Sequence, residues 1–127
     1  MRRTIQTDGA PKAVGPYSQA CWAGDTLYLS GQIALDPTTN ALVGDGNPAA
    51  ETEQILDNVE AVLRQGGMDF RHVVKAVIYA VDIRDFGDIN AAYATRFDGP
   101  PPARCFVEVS RLALGAKVEI DVVAYRA

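Results

Sequence analysis

The chain has 127 residues, of which 48% are hydrophobic and 22% charged, and sixteen Asp and Glu residues outnumber its twelve Lys and Arg residues. The length predicts one domain over residues 1–127, and the composition argues against a disordered or membrane-spanning chain. The net charge of −4, with no basic cluster beyond Arg2 and Arg3, argues against nucleic acid as a partner, because phosphate binding requires clustered cations.

The first third of the chain predicts a β-hairpin. Residues 20–23 and 26–30 are mainly apolar or aromatic, and they flank Gly24-Asp25, a dipeptide typical of a tight turn. We expect residues 33–35 to continue as strand and the polar cluster 36–40 to form a turn.

Two amphipathic helices are predicted after the hairpin. Asn47-Pro48 is typical of a helix start, because the Asn side chain caps the first turn and Pro fits the first helical position. Gly66-Gly67 is expected to end this helix. A second helix is expected to begin at Asp85 and to carry one apolar stripe. The members of that stripe are Phe86, Ile89, Tyr93 and Phe97.

The remaining apolar segments predict three further strands, at 73–83, 106–109 and 118–125. The resulting order of strands, helix, strand, helix and strands indicates the α+β class. We therefore expect a mixed sheet with both helices packed on one face.

The content of cysteine and histidine limits the available chemistry. Cys21 and Cys105 are too few for a disulfide framework and lack the spacing of a metal or redox motif. A single histidine is too few for a histidine-based zinc site. No apolar signal segment follows Met1, so the expected location is the reducing cytoplasm.

Arg104 is the first candidate for a functional side chain. It follows three prolines at the start of a strand, so its backbone is held stiffly. Because side chains alternate along a strand, Arg104 shares a face with Phe106 and Glu108, and we expect the opposite face to be core, with an inert buried thiol at Cys105. The guanidinium is then either a fork for a carboxylate or a surface side chain, solvated or paired with Glu108.

Glu119 is the second candidate. It shares a strand face with Asp121, and two carboxylates at this spacing indicate either a solvated face or a site. If its strand pairs with that of Arg104, we expect the two faces to coincide. One site would then hold a cation for an anionic substrate and a carboxylate that can polarise a water molecule.

Three other segments have both a structural and a functional interpretation. Asn90 lies on the apolar side of the second helix, where its amide either ties a loop or sheet edge or reaches a site. Tyr17, after Gly15-Pro16, either forms a pocket wall or fills the core. Ser30-Gly31 interrupts an apolar strand, which is typical of a close approach by a ligand or another chain.

Several segments, taken together and in order, match one known family. They are Gly15-Pro16-Tyr17-Ser18-Gln19-Ala20, Leu29-Ser30-Gly31-Gln32-Ile33, Asn58-Val59, Asn90 with Tyr93 and Phe97, Pro102-Ala103-Arg104, Val107-Glu108-Val109 and Val118-Glu119-Ile120. On these residues the chain resembles the RidA family, also called YjgF, in its Arg-containing branch. The resemblance covers essentially the full length.

This resemblance implies a fold, an assembly and a reaction. The fold is the chorismate-mutase-like α+β fold, in a homotrimer whose sheets form a central barrel with the helices outside and the sites between subunits. The reaction is the hydrolysis of reactive 2-imino acids, 2-iminobutanoate and 2-iminopropanoate, to 2-oxo acids and ammonia, which protects pyridoxal-phosphate enzymes. No cofactor and no metal are implied.

The resemblance also implies residue roles. Arg104 corresponds to the carboxylate fork, and the Ser30-Gly31 segment supplies a backbone N–H to the same carboxylate. Glu119, with a backbone carbonyl near residue 106, corresponds to the group that positions the attacking water. Tyr17 corresponds to the pocket wall, and Asn90 to the helix asparagine that supports the site.

Phe106 departs from the family pattern. Well-known members have cysteine two residues after the arginine, whereas Cys105 is one residue after it and therefore on the other face. Because imine hydrolysis needs only water, we expect retained activity and a pocket made narrower or more apolar by Phe106. The alternatives are a non-catalytic small-carboxylate-binding or chaperone-like module, which Phe106 favours, and a pathway-specific deaminase of a larger unsaturated amino acid.

Overall fold

A computed structural model that describes residues 1–127 contains one six-stranded sheet in the order β1-β2-β3-β6-β4-β5. The strands are β1 (Thr4–Ile5), β2 (Ala20–Ala23), β3 (Thr26–Leu29), β4 (Val73–Ala80), β5 (Ala103–Glu108) and β6 (Val118–Tyr125). The helices are α1 (Pro48–Gln65) and α2 (Phe86–Ala94). The β4–β5 pair is parallel and the other pairs are antiparallel, so the predicted mixed sheet is confirmed.

The local signals for the hairpin and the first helix are confirmed. Gly24 adopts a φ of +58° in the turn between β2 and β3, which glycine accepts without steric cost. The Asn47 side chain accepts a hydrogen bond of 3.1 Å from the Ala50 backbone N–H, and Pro48 occupies the first turn. The helix ends at Gln65, directly before the predicted glycine pair.

Both helices cover the same face of the sheet, as predicted. Alternate residues of β6 are buried beneath them, namely Val118, Ile120, Val122 and Ala124. Ile55, Leu56 and Val59 of α1 are fully buried in the same core. Complete removal of these side chains from water supplies the main driving force for the fold.

Some element boundaries differ from the sequence-based expectation. Residues 33–35 form no strand and contribute only an isolated bridge between Leu35 and Leu42. Strand β4 ends at Ala80, before a 3₁₀ turn at Ile83–Asp85, and β5 begins at Ala103 rather than at residue 106. The short strand β1 was not predicted, because two residues carry no readable periodicity.

The prediction for the two faces of β5 was wrong. Arg104 and Phe106 point toward the helices and are partly buried, whereas Cys105 is exposed on the opposite, helix-free face. Alternation correctly grouped the side chains, but it did not specify which group the helices cover. Cys105 is therefore not an inert core thiol.

The helix-free face and the β5 edge lack partners within this chain. Strand β5 pairs only with β4, so one row of its backbone groups forms no sheet hydrogen bonds. Tyr28 and Tyr125 stand about half exposed on the same open face. Neither helix is long and apolar enough to cross a membrane, and no group of three potential metal ligands is assembled.

Candidate functional site

The guanidinium of Arg104 is held between β5 and α2. Its Nη1 donates a hydrogen bond of 2.6 Å to the Asn90 side-chain oxygen. The amide of Asn90 is thereby committed to Arg104, so of its two predicted roles the structure favours support of a site over fastening of a loop. Part of Arg104 lines a cavity of about 500 Å³ with Asn90 and Pro102.

Three aromatic rings surround the same guanidinium. The Arg104 Cζ lies 5.1 Å from the Tyr93 ring centre, 5.7 Å from that of Phe86 and 5.8 Å from that of Phe106. Phe86 and Phe106 also contact each other edge to face at 4.8 Å. The rings attract the cation through their negative faces and limit its hydration. They therefore hold the fork in one place.

No carboxylate neutralises Arg104. It takes part in none of the ion pairs of the chain, and Glu108 instead accepts a hydrogen bond of 2.8 Å from the Ile83 backbone N–H. The interpretation of Arg104 as a surface side chain paired with Glu108 was therefore wrong. A partly buried cation with one neutral hydrogen-bond partner is suited to an incoming anion.

The strands of Arg104 and Glu119 do not pair directly, because β4 lies between them, so the condition for the predicted coincidence is not met. The two side chains lie on opposite faces of the sheet. Arg104 pairs with Ala76, and Ala76 pairs with Val122, which is buried beneath the helices. Glu119 pairs with Tyr79 on the helix-free face. The chain thus carries two separate groups of candidate residues.

The second group is built around Glu119. Its half-buried side chain lines a cleft of about 340 Å³ with Tyr17 and Gly31. A Cβ atom at Gly31 would clash with the Glu119 carboxylate, lying only 3.0 Å from its Cδ. A larger residue at position 31 would therefore displace the Glu119 carboxylate from its place beside the backbone of Gly31.

Gly31, rather than Ser30, provides the available backbone donor. The Ser30 N–H already donates to the Gln19 carbonyl at 3.0 Å, and its hydroxyl donates to the Ser18 carbonyl at 2.6 Å. The Gly31 N–H donates to no acceptor in the chain and lies beside the Glu119 cleft. Of the predicted Ser30-Gly31 segment, Ser30 therefore has a structural role, and Gly31 supplies the free backbone N–H.

Tyr17 is a wall residue rather than a core residue. Half of its surface is exposed, and it lines both the Glu119 cleft and a neighbouring depression that includes Ser30. Its hydroxyl accepts a hydrogen bond of 3.3 Å from the Val14 backbone N–H, which fixes the ring against the loop before β2.

Asp121 and Tyr79 modify the electrostatics of Glu119. The Tyr79 hydroxyl donates a hydrogen bond of 2.9 Å to Asp121, which keeps this second carboxylate two residues from Glu119 on the same face. Burial of the carboxyl raises the pKa of Glu119 above its ordinary value, and the negative charge of Asp121 raises it further. Glu119 is therefore suited to gain and lose a proton at a higher pH than an ordinary glutamate.

Replacing Asp121 by Asn is expected to lower the pKa of Glu119, because it removes the neighbouring negative charge and leaves only the effect of burial. The measurement is a pH titration of the side-chain carboxyl carbons by ¹³C NMR, with Glu119→Gln used to assign the signal. Asp25→Asn, which removes a charge in the β2–β3 turn, serves as the control. An unchanged or raised pKa in Asp121→Asn would contradict this electrostatic coupling.

Sequence reasoning missed several residues of these two groups. Phe86 was assigned only to the apolar stripe of α2, and Tyr93 only to that stripe and to the family motif with Asn90. Phe86 lies four residues before Asn90 and Tyr93 three residues after it, a spacing that places both on the Asn90 side of the helix, and both rings contact Arg104. Tyr79 could not have been found, because its contact with Asp121 depends on the β4–β6 register. The spacing of Glu119 and Asp121 was visible in the sequence, and it was the available signal for their coupling.

Comparison with known proteins connects this architecture to one group. A family model described as endoribonuclease L-PSP matches residues 7–126. Protein DfrA of Myxococcus xanthus is 49% identical over 125 residues, which cover 97% of this chain and 95% of that protein. A mouse protein named 2-iminobutanoate/2-iminopropanoate deaminase is 43% identical over 124 residues, which cover 98% of this chain and 91% of the relative.

Solved structures give the same grouping. RidA from an Antarctic Psychrobacter species superposes with a TM-score of 0.93 at 41% identity, covering 98% of this chain and 100% of that one. TdcF of E. coli, crystallised with bound serine, superposes with a TM-score of 0.93 at 32% identity, covering 98% of this chain and 99% of that one. At these identities and coverages the similarity includes the whole sheet and both helices.

Proposed function

Because the chain belongs to the RidA (YjgF) family, we propose that it is a hydrolytic deaminase that converts 2-imino acids to 2-oxo acids and ammonia. The observation that carries this proposal is the guanidinium of Arg104, which is partly buried among three aromatic rings and has no carboxylate partner. Such a fork suits the carboxylate that every 2-imino acid carries.

We further propose that the active unit is a homotrimer in which one subunit supplies Arg104 and its neighbour supplies Glu119. Within one chain these residues lie on opposite faces of the sheet, so the site is incomplete without a second copy. The unpaired β5 edge and the open face with its exposed tyrosines support association through this side. Light scattering coupled to size exclusion should give three times the chain mass.

In the assembled cleft, the substrate carboxylate binds to Arg104 and to the free N–H of Gly31. Glu119 orients a water molecule and accepts one of its protons as the oxygen adds to the imine carbon. The same proton is then returned to the nitrogen. Glu119 takes the proton of the new hydroxyl group as the C–N bond breaks and the C=O bond forms, and the ammonia that leaves carries this proton away as ammonium. Orientation supplies much of the rate enhancement, because the protonated imine is already electrophilic. Water addition to a C=N bond requires neither a metal nor a cofactor.

Phe106 is part of this proposal as a substrate-binding residue at the edge of the Arg104 group. Its ring packs against Phe86 and lies beside the guanidinium of Arg104. Phe106 therefore narrows the space next to Arg104 and makes that space more apolar. The proposed reaction uses no thiol nucleophile. Phe106 is therefore compatible with turnover.

The test is the release of 2-oxo acid from an imine generated in situ by a dehydratase or an amino-acid oxidase. Micromolar protein is expected to accelerate release from 2-iminobutanoate and 2-iminopropanoate well above the spontaneous rate. The background is measured with heat-denatured protein in the same mixture. Absence of acceleration with either substrate would overturn the proposed activity.

A second candidate is reversible binding of small carboxylates without turnover. The structure of TdcF with bound serine favours this alternative, since it is a relative that holds an amino acid. Binding of a 2-oxo acid without accelerated imine hydrolysis would support this second function. The negative net charge and the single histidine of the chain argue against ribonuclease activity.

A further inference from the structure

Two exposed apolar side chains flank the cleft that contains Glu119. Val14 is 74% exposed and Leu114 is 70% exposed, more than any other large hydrophobic residue except Met1. Both line the same cleft of about 340 Å³ as Glu119, together with Ile33. Scattered exposed apolar residues need no explanation, but two adjoining a candidate site indicate an apolar contact surface.

The backbone of Leu114 is strained as well as exposed. Its φ is +59° in the 3₁₀ turn Ala113–Gly115, a left-handed conformation that a leucine rarely adopts. Within the single chain, leucine therefore gains neither burial nor relaxed geometry at this position. Strain of this kind, when it persists beside a site, points to a role in that site.

The cleft is also larger than the smallest substrates need. A cleft of about 340 Å³ offers room for a substituent larger than the methyl group of 2-iminopropanoate. Because Glu119 must lie beside the imine carbon to deliver water, the substituent on that carbon extends along the wall next to Glu119. Leu114 and Val14 are the most exposed large aliphatic side chains in the lining of this cleft.

We propose that Leu114 is a specificity-determining residue that, with Val14, receives the substrate side chain and favours 2-imino acids with an aliphatic side chain of about four carbons, as in leucine. This inference rests on the proposed function and specifies its substrate class. Lys12 lines the same cleft but is exposed on a flexible stem, so it does not form the fixed wall.

The test compares kcat/KM for imines generated by an amino-acid oxidase from alanine, leucine and glutamate. The leucine-derived imine is expected to be preferred over the alanine-derived imine by roughly tenfold, as expected when additional methylenes fill an apolar pocket. In Leu114→Ser this ratio is expected to fall toward one. Val74→Ser, which alters an exposed apolar residue outside the cleft, should keep the wild-type ratio.

Leu114→Gly separates the side-chain effect from folding. Glycine accepts the positive φ, so this variant should melt at or above the wild-type temperature and still lose the preference. A retained preference in both Leu114 variants would overturn the inference. Preference for the glutamate-derived imine would also overturn it and would assign the selectivity to Lys12.

Binding provides a readout that does not depend on turnover. Calorimetry should give a lower Kd for the 2-oxo acid of leucine than for pyruvate, and Leu114→Ser should remove most of this difference. Absence of hydrolysis with every imine would overturn the proposed function, whereas equal Kd values would overturn the role of Leu114. The two failures are therefore distinguishable.

Discussion

Replacing Arg104 by Ala is expected to lower kcat/KM for 2-imino acids by roughly a hundredfold or more, equivalent to about 2.7 kcal/mol of transition-state stabilisation. The guanidinium is the only cation of the Asn90 cavity, and no second charged group there could bind the substrate carboxylate in its place. The measurement is the rate of 2-oxo acid release over a range of imine concentrations.

Two further variants identify which property of Arg104 is needed. Arg104→Lys keeps the charge but loses the planar fork, and it should retain only part of the activity. Arg104→Met keeps an unbranched stem against the Tyr93, Phe86 and Phe106 rings and removes the charge. It should therefore fold normally and be as inactive as Arg104→Ala.

Arg71→Ala is the matched control, because Arg71 is exposed and pairs only with the nearby Asp69. It removes the same charge from the chain and should leave the rate unchanged. Near-wild-type activity in Arg104→Met would contradict the carboxylate-binding role. It would also remove the main support for the proposed function, which is the binding of the substrate carboxylate by Arg104.

Local elements of the fold were predictable because their signals lie within a few residues. The Asn47-Pro48 start of α1 and the Gly24 turn each depend on a backbone conformation that neighbouring side chains determine. Strand β6 was also predicted with its observed bounds, since its alternation is uninterrupted over eight residues. Residues 33–35 failed as a strand because apolar character alone does not supply a pairing partner.

The composition of the candidate site was only half predictable, because sheet register is a long-range property. Alternation placed Arg104 with Phe106 and Glu119 with Asp121 correctly. Alternation alone could not show whether the two pairs share a face, because this depends on how β5 and β6 each pair with β4. A shift of one residue in either pairing would have brought both pairs of side chains to one face. The placement of Gly31 against Glu119 likewise required the fold.

Replacing Glu119 by Gln is expected to have opposite effects on activity and stability. The amide cannot accept the proton of the attacking water, so the hydrolysis rate should fall by roughly a hundredfold or more. Stability should rise at neutral pH, because burial and the charge of Asp121 raise the pKa of Glu119 and so penalise its ionised form in the folded protein.

The pH dependence of stability gives this prediction its sign. A carboxyl whose pKa is raised by folding favours the fold while it is protonated, and this contribution is lost as the pH rises through the folded-state pKa. Glutamine has no such loss. The difference in melting temperature between Glu119→Gln and wild type should therefore be small near pH 4 and larger near pH 8.

Glu60→Gln controls for the same chemical change at a partly exposed position of α1, where the carboxylate faces Arg64 at 3.6 Å. It should leave the hydrolysis rate unchanged. If Glu119→Gln retained full activity, another group would have to activate the water. If the melting temperature of Glu119→Gln followed the wild-type pH dependence, ionisation of Glu119 would not destabilise the folded protein. The proposed connection between the raised pKa of Glu119 and its role in proton transfer would then be refuted.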